Sequence, residues 1–189
     1  AIIEFSLPDI IKIMELIAVL HNVRSLHNVG SIFRTADAAG VEKLYLCGIT
    51  PTPVDRFGKV RPQLAKVSLG AENSVLWDGS ARSPRSVIKL LEKLKKDGYK
   101  IFAIEQNRRS MPYYKFKAAR QKSKIALILG SETSGLNRTV LEKADIILEI
   151  PMRGAMVRQA HHPRRNGHGK ESLNVAVAFG IVAFHILYG

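Results

Sequence analysis

Polar side chains that could carry chemistry occur first in the stretch HNVGSIFRTADAAG, residues 27–40. Here Asn28 precedes Arg34 by six positions. If a helix opens at Asn28, Arg34 lies near the same face, almost two turns further along. An arginine that follows Ile32 and Phe33 on a helix is either an ordinary surface residue or a cation placed for function. The residues alone leave both interpretations open.

A second stretch, ALILGSETSGL at residues 126–136, is an apolar strand pattern that ends in Gly130, Ser131 and Glu132. Gly130 permits a ligand to approach the backbone closely, and the amides of such a turn suit adenine edges or hydroxyl groups. The stretch has neither the Gly-Lys-Ser/Thr ending nor the Gly-x-Gly-x-x-Gly pattern of phosphate-binding loops. Glu132 would repel phosphate and favour a cationic or hydroxyl-bearing ligand. The alternative is a simple capping turn before a helix at Asn137.

The third stretch has two parts, IPM at residues 150–152 and KESLNVAVAFG at residues 170–180. Ser172 and Asn174 flank Leu173 at the start of an apolar helix, whose later part, residues 179–187, should lie in the core. Polar side chains at this point either cap the N-terminus of the helix or face a ligand.

A basic, proline-rich loop at residues 50–72 is a fourth candidate, and it contains Arg56, Lys59 and Arg61. Loops that follow strands build the binding sites of α/β proteins, so these cations could grip phosphates. The alternative is an ordinary exposed loop. A short helix is predicted within it, around residues 61–67.

Apolar runs typical of strands alternate with helical patterns along the chain. Strands are predicted at residues 17–23, 43–49, 73–77, 99–105, 124–130 and 145–150, and helices at residues 28–40, 83–98, 137–144 and 171–189. This alternation predicts an α/β fold with a mostly parallel sheet and helices on both faces. We find no repeat or linker that would divide the chain, so we expect a single domain over residues 1–189.

Charge and composition narrow the possible partners. The 189 residues contain 29 Lys and Arg against 16 Asp and Glu, a net charge of +13, which favours RNA or DNA as a partner unless the surface is simply basic. Neither a membrane span nor a signal peptide is recognisable, so we expect a cytoplasmic protein. The one cysteine, Cys47, cannot form an internal disulfide or a four-cysteine zinc site. It should be buried in a strand.

Taken together, NVGSIFRTADAAG, LILGSETSGL and IPM…KESLNVAVAFGI resemble, in wording and order, the SPOUT superfamily of knotted methyltransferases. The similarity is to its SpoU branch of RNA ribose 2′-O-methyltransferases and extends from about residue 20 to the C-terminus. The resemblance implies an α/β fold with a C-terminal trefoil knot. Knots are so rare that only the resemblance supports this expectation.

The resemblance also assigns catalytic roles by position. Arg34 would help to deprotonate the ribose 2′-hydroxyl, with Asn28 positioning it. Glu132 matches the carboxylate of the second motif, and Ser172 and Asn174 match the polar pair of the third. An arginine can act in this way only by organising a nearby phosphate or by losing a proton in an unusual environment.

The implied cofactor is S-adenosylmethionine, held in the knot without a metal. Its pocket would be formed by Leu129, Gly130, Ile150, Met152 and Leu173. The resemblance further implies a homodimer, in which the second copy completes each active site. The expected substrate is tRNA or rRNA, and its identity and the methylated nucleotide cannot be predicted from the sequence.

One segment departs from the family pattern. The family joins IPM to ESLN by a short turn, whereas here residues 155–168, AMVRQAHHPRRNGH, form an apparent insertion in the cofactor-binding loop. It could leave the pocket unchanged, block it, or use Arg158, Arg164 and Arg165 as an added RNA contact. A metal site built from His161, His162 and His168 is a weaker hypothesis, because adjacent histidines rarely converge on one ion.

Three classes of function therefore remain in competition. An S-adenosylmethionine-dependent RNA methyltransferase accounts for the polar residues of all three stretches. A non-catalytic RNA-binding protein, whose pocket the 155–168 insertion blocks, would keep the charge and lose the cofactor. A nucleotide-binding oxidoreductase fits the α/β pattern but lacks the glycine fingerprint. The sequence favours the enzyme.

Overall fold

The computed structural model describes residues 14–117, 123–152 and 172–189. Its strands are β1 Met14–His21, β2 Lys43–Cys47, β3 Leu76–Asp78, β4 Tyr99–Ile104, β5 Met111–Pro112, β6 Ser123–Leu129 and β7 Ile146–Glu149. The helices are α1 Leu26–Ala39, α2 Pro62–Ser68, α3 Ala71–Ser74, α4 Pro84–Lys96, α5 Arg138–Leu141 and α6 Val175–Tyr188, with a 3₁₀ turn at Tyr113–Lys115. Within these ranges the strands form one sheet in the order β3-β2-β1-β6-β4-β7-β5, and every pair is parallel.

Helices cover both faces of this sheet. One core lies under α1 and α6 and receives Leu16 and Leu20 of β1, while the other lies under α4 and α5 and receives Ile17 and Val19. Because β1 is central and covered on both sides, it reads as an almost continuous apolar run. The predicted parallel sheet with helices on both faces is confirmed.

Several element boundaries were predicted wrongly. The strand expected at residues 73–77 is displaced, because Ala71–Ser74 forms the short helix α3 and the strand runs over Leu76–Asp78. The turn into α3 uses Gly70 at a φ of 93°, a conformation open to glycine. Strand β5 was not predicted, since two residues are too few to show a period.

The starts of the two principal helices also differ from the prediction. Helix α1 begins at Leu26 rather than Asn28, because the hydroxyl of Ser25 accepts a hydrogen bond of 3.2 Å from the amide of Asn28 and caps the helix. Helix α6 begins at Val175, where the side chain of Asn174 caps the next amides. The helix predicted around residues 61–67 is confirmed as α2.

Other predictions are settled in part. Cys47 is buried in β2 as expected, and burial raises the pKa of its thiol to about 12. In the described ranges no helix is long and apolar enough to cross a membrane. The apparent insertion 155–168, with its arginines and histidines, lies outside the described residues. The trefoil knot, which would include that part of the chain, stays a prediction.

Two glycines provide a matched test of helix packing. A Cβ atom at Gly30 in α1 would lie 2.8 Å from the carbonyl oxygen of Leu64 in α2, whereas one at Gly180 in α6 would lie 3.4 Å from Cγ2 of Thr35. We therefore expect Gly30→Ala to lower the free energy of unfolding by about 1–3 kcal/mol, because backbone must move. Gly180→Ala should change it by less than about 1 kcal/mol, in the stabilising direction. Urea denaturation measures both, and equal effects would contradict the packing described for Gly30.

Candidate functional site

A pocket of about 330 Å³ opens at the carboxyl ends of β4, β6 and β7. Its lining includes the five residues predicted to bind the cofactor, Leu129, Gly130, Ile150, Met152 and Leu173. These residues come from the end of β6, the end of β7 and the approach to α6, which the parallel sheet brings to one edge. The structure thus brings together three stretches that are up to 44 positions apart in the sequence.

The turn after β6 forms one wall of the pocket from backbone. Ser131 and Gly135 form an antiparallel bridge that folds the turn back on itself. A Cβ atom at Gly130 would lie 2.3 Å from the carbonyl carbon of Gly135, so no side chain fits there. Glu105 fixes the far end of the turn, since its Oε2 accepts a 2.8 Å hydrogen bond from the amide of Leu136. The two glycines therefore allow the turn to fold tightly against itself and against Glu105, and both line the pocket.

The charged side chains among the described lining residues of the pocket are all negative. Glu105, Glu132 and Glu149 line it, and no Lys, Arg or His occurs among its described lining residues. The chain as a whole carries +13, so this acidic patch is opposite in sign to the rest of the protein. The carboxylates of this described lining favour a positively charged ligand over a phosphorylated one. Glu132 was a candidate from the sequence, whereas Glu105 and Glu149 were not.

The signal for the two missed glutamates was available in the sequence. Glu105 follows β4 directly, and Glu149 is the last residue of β7, so both stand at the edge where Glu132 follows β6. The hydroxyl of Ser110 donates a 2.6 Å hydrogen bond to Oε2 of Glu149 and holds it in place. An acidic residue at the end of a strand that neighbours a candidate site therefore merits attention.

The carboxylate of Glu132 connects the pocket to both principal helices. It accepts hydrogen bonds from the backbone amides of Arg24, at 3.1 Å, and Ser25, at 3.2 Å, and a third from Nδ2 of Asn28, at 2.8 Å. Oδ1 of Asn28 in turn accepts from Nδ2 of Asn174 at 3.1 Å. The resulting chain of hydrogen bonds joins the turn after β6, the start of α1 and the start of α6.

Asn174 completes this chain and caps α6 at the same time. Its Oδ1 accepts from the amides of Ala176, at 2.9 Å, and Val177, at 3.3 Å. Ser172 lines the pocket and is exposed. The two alternatives considered for this polar pair, helix cap or site residue, therefore both apply: Asn174 is a cap, and Ser172 lies at the pocket.

The same hydrogen bonds set the ionisation of Glu132. Partial burial opposes the charged form, but hydrogen bonds from the side chain of Asn28 and from the backbone of Arg24 and Ser25 outweigh it and hold the pKa of Glu132 below its usual range. The carboxylate also lies at the N-terminus of α1, where the helix dipole favours negative charge. Glu132 is therefore ionised at neutral pH.

Arg34 lies away from this network. It is exposed and is not part of the pocket lining, and no hydrogen bond or ion pair joins it to another described residue. The expectation that it shares a face with Asn28 is wrong, because six residues at 3.6 per turn place the two side chains about 120° apart around α1. The side-chain amide of Asn28 bonds to Glu132 and Asn174 instead.

The three cations of the basic loop share one region. Arg56 and Lys59 are exposed in the turn between Val54 and Val60, whose backbones form an antiparallel bridge. Arg61 precedes α2, and its Nε is buried without a hydrogen-bond partner among the described residues. The loop follows β2, so it stands at the same edge of the sheet as the pocket. Phosphate binding by these residues stays a prediction.

In the parts of the chain that the structure describes, no group of three or more His, Cys, Asp and Glu side chains could hold a metal ion. The three histidines considered as ligands, His161, His162 and His168, fall outside those parts.

The fold and the pocket together define a class of protein. Residues 15–157 match the model of the SpoU rRNA Methylase family, and the chain belongs to this family. The resemblance drawn from the three motifs is thereby confirmed.

Relatives and solved structures agree with this assignment. The 23S rRNA (guanosine(2553)-2'-O)-methyltransferase RlmP of Bacillus subtilis is 32% identical over 83% of this chain and 52% of that protein. The 23S rRNA (guanosine-2'-O-)-methyltransferase RlmB of Xylella fastidiosa is 30% identical over 82% of this chain and 51% of that protein. The chain thus spans about half the length of these two relatives.

Among solved structures, the TrmH/SpoU tRNA modifying enzyme of A. aeolicus has a TM-score of 0.68 and 28% identity, over 92% of this chain and 74% of its own. The AdoMet-bound rRNA methyltransferase of Sinorhizobium meliloti has a TM-score of 0.70 and 25% identity, over 91% of this chain and 55% of its own. The described sheet therefore has the fold of these methyltransferases.

Replacing Glu132 by glutamine tests the network. Glutamine presents an NH₂ group to an N–H donor that the carboxylate now binds, so we expect Glu132→Gln to lower the free energy of unfolding at pH 7 by about 1–3 kcal/mol. The folded-state pKa lies below the unfolded one, so this stabilisation is present above the unfolded pKa and disappears as pH falls through the folded pKa. The difference in the free energy of unfolding between the wild type and Glu132→Gln should therefore disappear at acid pH.

Urea denaturation at a series of pH values measures this gap. Glu142→Gln is the control, because among the described residues the side chain of Glu142 pairs with the exposed Arg138 one helical turn earlier, and such an exposed pair contributes little. A gap that stays constant down to the acid range would show that the charge of Glu132 does not stabilise the helix starts.

Proposed function

We propose that this protein is an S-adenosylmethionine-dependent RNA methyltransferase that modifies the ribose 2′-hydroxyl of tRNA or rRNA. The observation that carries the proposal is a pocket at the strand ends of a strongly basic SpoU-family chain, whose charged side chains, among the lining residues that the structure describes, are all glutamates. The names of the relatives RlmP and RlmB, both rRNA 2′-O-methyltransferases, support the substrate class and the reaction. The whole chain, residues 1–189, is proposed to act as one SPOUT methyltransferase domain.

The pocket fits the proposed cofactor. A volume of about 330 Å³ is within the usual range for small-molecule sites, about 300–1,000 Å³. Leu129, Ile150 and Leu173 offer apolar surface to an adenine ring, and the backbone next to Gly130 offers amides and carbonyls to its edges. When bound, S-adenosylmethionine supplies a methyl group on a positively charged sulfur. Glutamates in the lining suit that charge, and a site of this kind needs no metal.

The polar network would hold the cofactor pocket in a fixed position relative to the starts of α1 and α6. Glu132 holds the starts of α1 and α6 through Asn28 and Asn174, so we assign these three residues to positioning. Ser172, exposed at the pocket, is placed to hydrogen-bond a ligand or substrate hydroxyl. Arg34 is the proposed catalytic residue. Its guanidinium would organise a phosphate next to the reacting hydroxyl and assist removal of the proton.

We propose that the site is completed by a second copy of the chain. Arg34 does not line the pocket of its own chain, and its helix α1 packs beside α6. Helix α6 exposes Phe184 and Tyr188, which are 43% and 65% accessible to solvent. The centroids of their rings lie 5.8 Å apart. Exposed apolar side chains on the helix that packs against the helix of Arg34 fit a homodimer in which Arg34 serves the partner's pocket.

The RNA would be bound mainly through its phosphates. Arg56, Lys59 and Arg61 occupy the sheet edge that holds the pocket, and a net charge of +13 attracts a polyanion over a long range. Such binding should weaken steeply with salt. We expect the protein to work in the cytoplasm, where tRNA and rRNA are available to it.

Cofactor binding tests the central part of the proposal. Isothermal calorimetry should show micromolar binding of S-adenosylmethionine to the full chain. Leu173→Arg places a bulky cation in the pocket and should abolish binding, because the charges repel. Leu76→Arg, on an exposed position of the edge strand β3, is the matched control and should bind normally.

A deletion of residues 155–168 decides between the enzyme and its main alternative. Equal binding by the full chain and the deleted chain would support the enzyme and make the insertion a tolerated segment. Binding by the deleted chain alone would mean that the insertion blocks the pocket and that the full chain is a non-catalytic RNA-binding protein. No binding by either would contradict the proposed cofactor.

Mixed dimers test the position of Arg34. Arg34→Ala and Leu173→Arg chains, with different tags, should each be inactive in transfer of a labelled methyl group to unmodified tRNA and rRNA transcripts. Co-expressed, they should recover about a quarter of wild-type activity, because half of the dimers carry one intact site. Full activity of Arg34→Ala alone would show that this arginine is not catalytic, and no recovery in the mixture would show that it does not act across a dimer.

A further inference from the structure

The tip of the basic loop is a rigid hairpin. Asp55 donates its backbone N–H to the carbonyl of Lys59 at 2.8 Å, and the amide of Gly58 bonds back to the carbonyl of Asp55 at 3.0 Å. The carboxylate of Asp55 also accepts hydrogen bonds from the amides of Phe57, at 2.8 Å, and Lys59, at 3.0 Å. Gly58 takes a φ of 77°, which closes the turn. The conformation of the tip is therefore fixed by its own hydrogen bonds.

The base of the loop is anchored as firmly as the tip. The guanidinium of Arg82 donates to the carbonyls of Gly48, at 3.1 Å, and Thr50, at 2.6 Å. The amide of Arg61 bonds to the carbonyl of Pro53 at 2.9 Å, where the chain returns from the hairpin. The tip is thus presented on a fixed stem, so a ligand that binds there loses little free energy to ordering of the loop.

The hairpin holds a phenyl ring in solvent. Phe57 is 78% exposed, more than any other large apolar side chain of the described residues. The guanidinium of Arg56 lies 4.7 Å from the centre of its ring, and Lys59 follows two positions later. Single exposed apolar residues are common on proteins. Here, however, a guanidinium lies over the ring, and the ring stands on a preorganised turn.

The chemistry of this tip matches one class of ligand. An aromatic ring stacks on an unpaired nucleobase, a guanidinium extends the stack, and an ammonium pairs with a phosphate. Within a helical duplex the bases are already stacked and cannot reach the ring. The complement of Arg56, Phe57 and Lys59 is therefore a single-stranded or looped RNA segment.

We propose that Phe57 is a stacking platform for an unpaired base of the RNA substrate. This inference rests on the proposed function and deepens it, because it predicts that the substrate offers a splayed base near the methylated nucleotide. The loop follows β2, which is separated from β6 by β1 alone, and adjacent strands are about 4.8 Å apart. We therefore assign the stacked base to a nucleotide other than the one that is methylated.

Binding of two polyanions separates stacking from charge. The probes are a single-stranded RNA oligonucleotide and inorganic polyphosphate, which has the charge but no bases. Phe57→Ala should weaken RNA binding about 5- to 100-fold and leave polyphosphate binding and the salt dependence unchanged. Phe57→Trp should bind RNA at least as tightly as the wild type. Leu69→Ala, at another exposed apolar position outside the hairpin, is the control and should change neither.

The outcomes also separate this inference from the proposed function. If Phe57→Ala binds both probes like the wild type, or loses both equally, Phe57 does not stack on a base. If Phe57→Ala changes the sedimentation of the free protein, the ring is part of a contact between subunits, which also overturns the inference. Retained RNA methylation by the wild type in these cases would leave the proposed function intact. Failure of the wild type to bind any RNA would overturn both.

Discussion

The carboxylate of Glu132 is the point at which three parts of the fold meet. It stands on the turn after β6, binds the backbone that leads into α1 and, through the side chains of Asn28 and Asn174, reaches the first residues of α6. None of these parts is near another in sequence. Their mutual placement determines the mouth of the pocket, because the turn lines it and α6 begins beside it. Glu132 stays ionised although it is partly buried, because three N–H groups donate hydrogen bonds to its carboxylate.

Charge is divided between the pocket and the rest of the molecule. A chain with 29 basic and 16 acidic residues could have surrounded any cleft with cations. Instead, glutamates from the ends of β4 and β7 and from the turn after β6 line this one. A cationic small molecule and a polyanion can then bind the same protein without competing for the same groups. This division of charge would allow the proposed cofactor and the proposed RNA substrate to bind different surfaces of one chain.

Much of this arrangement could be predicted from the sequence, for reasons that differ between its parts. The sheet was predictable because β1, β4 and β6 are apolar on both faces and alternate with helical patterns. The five pocket residues were predictable only through resemblance, since nothing in the spacing of Leu129 and Leu173 shows that they meet. The partner of Asn28 was missed because it lies 104 positions away. The start of α1 was misplaced because its N-cap, Ser25, precedes the periodic apolar residues from which the helix was predicted.

The backbone wall of the pocket has a consequence for divergence within the family. Where Gly130 lies against Gly135, a ligand meets peptide groups, and peptide groups are the same in every sequence. Substitutions elsewhere can then accumulate freely, provided that these two positions stay without side chains and the turn keeps its shape. Contacts to these peptide groups therefore do not depend on which side chains occur elsewhere in the sequence. A chain that shares 25% identity with a solved relative, as this one does, can therefore keep a pocket wall of this kind.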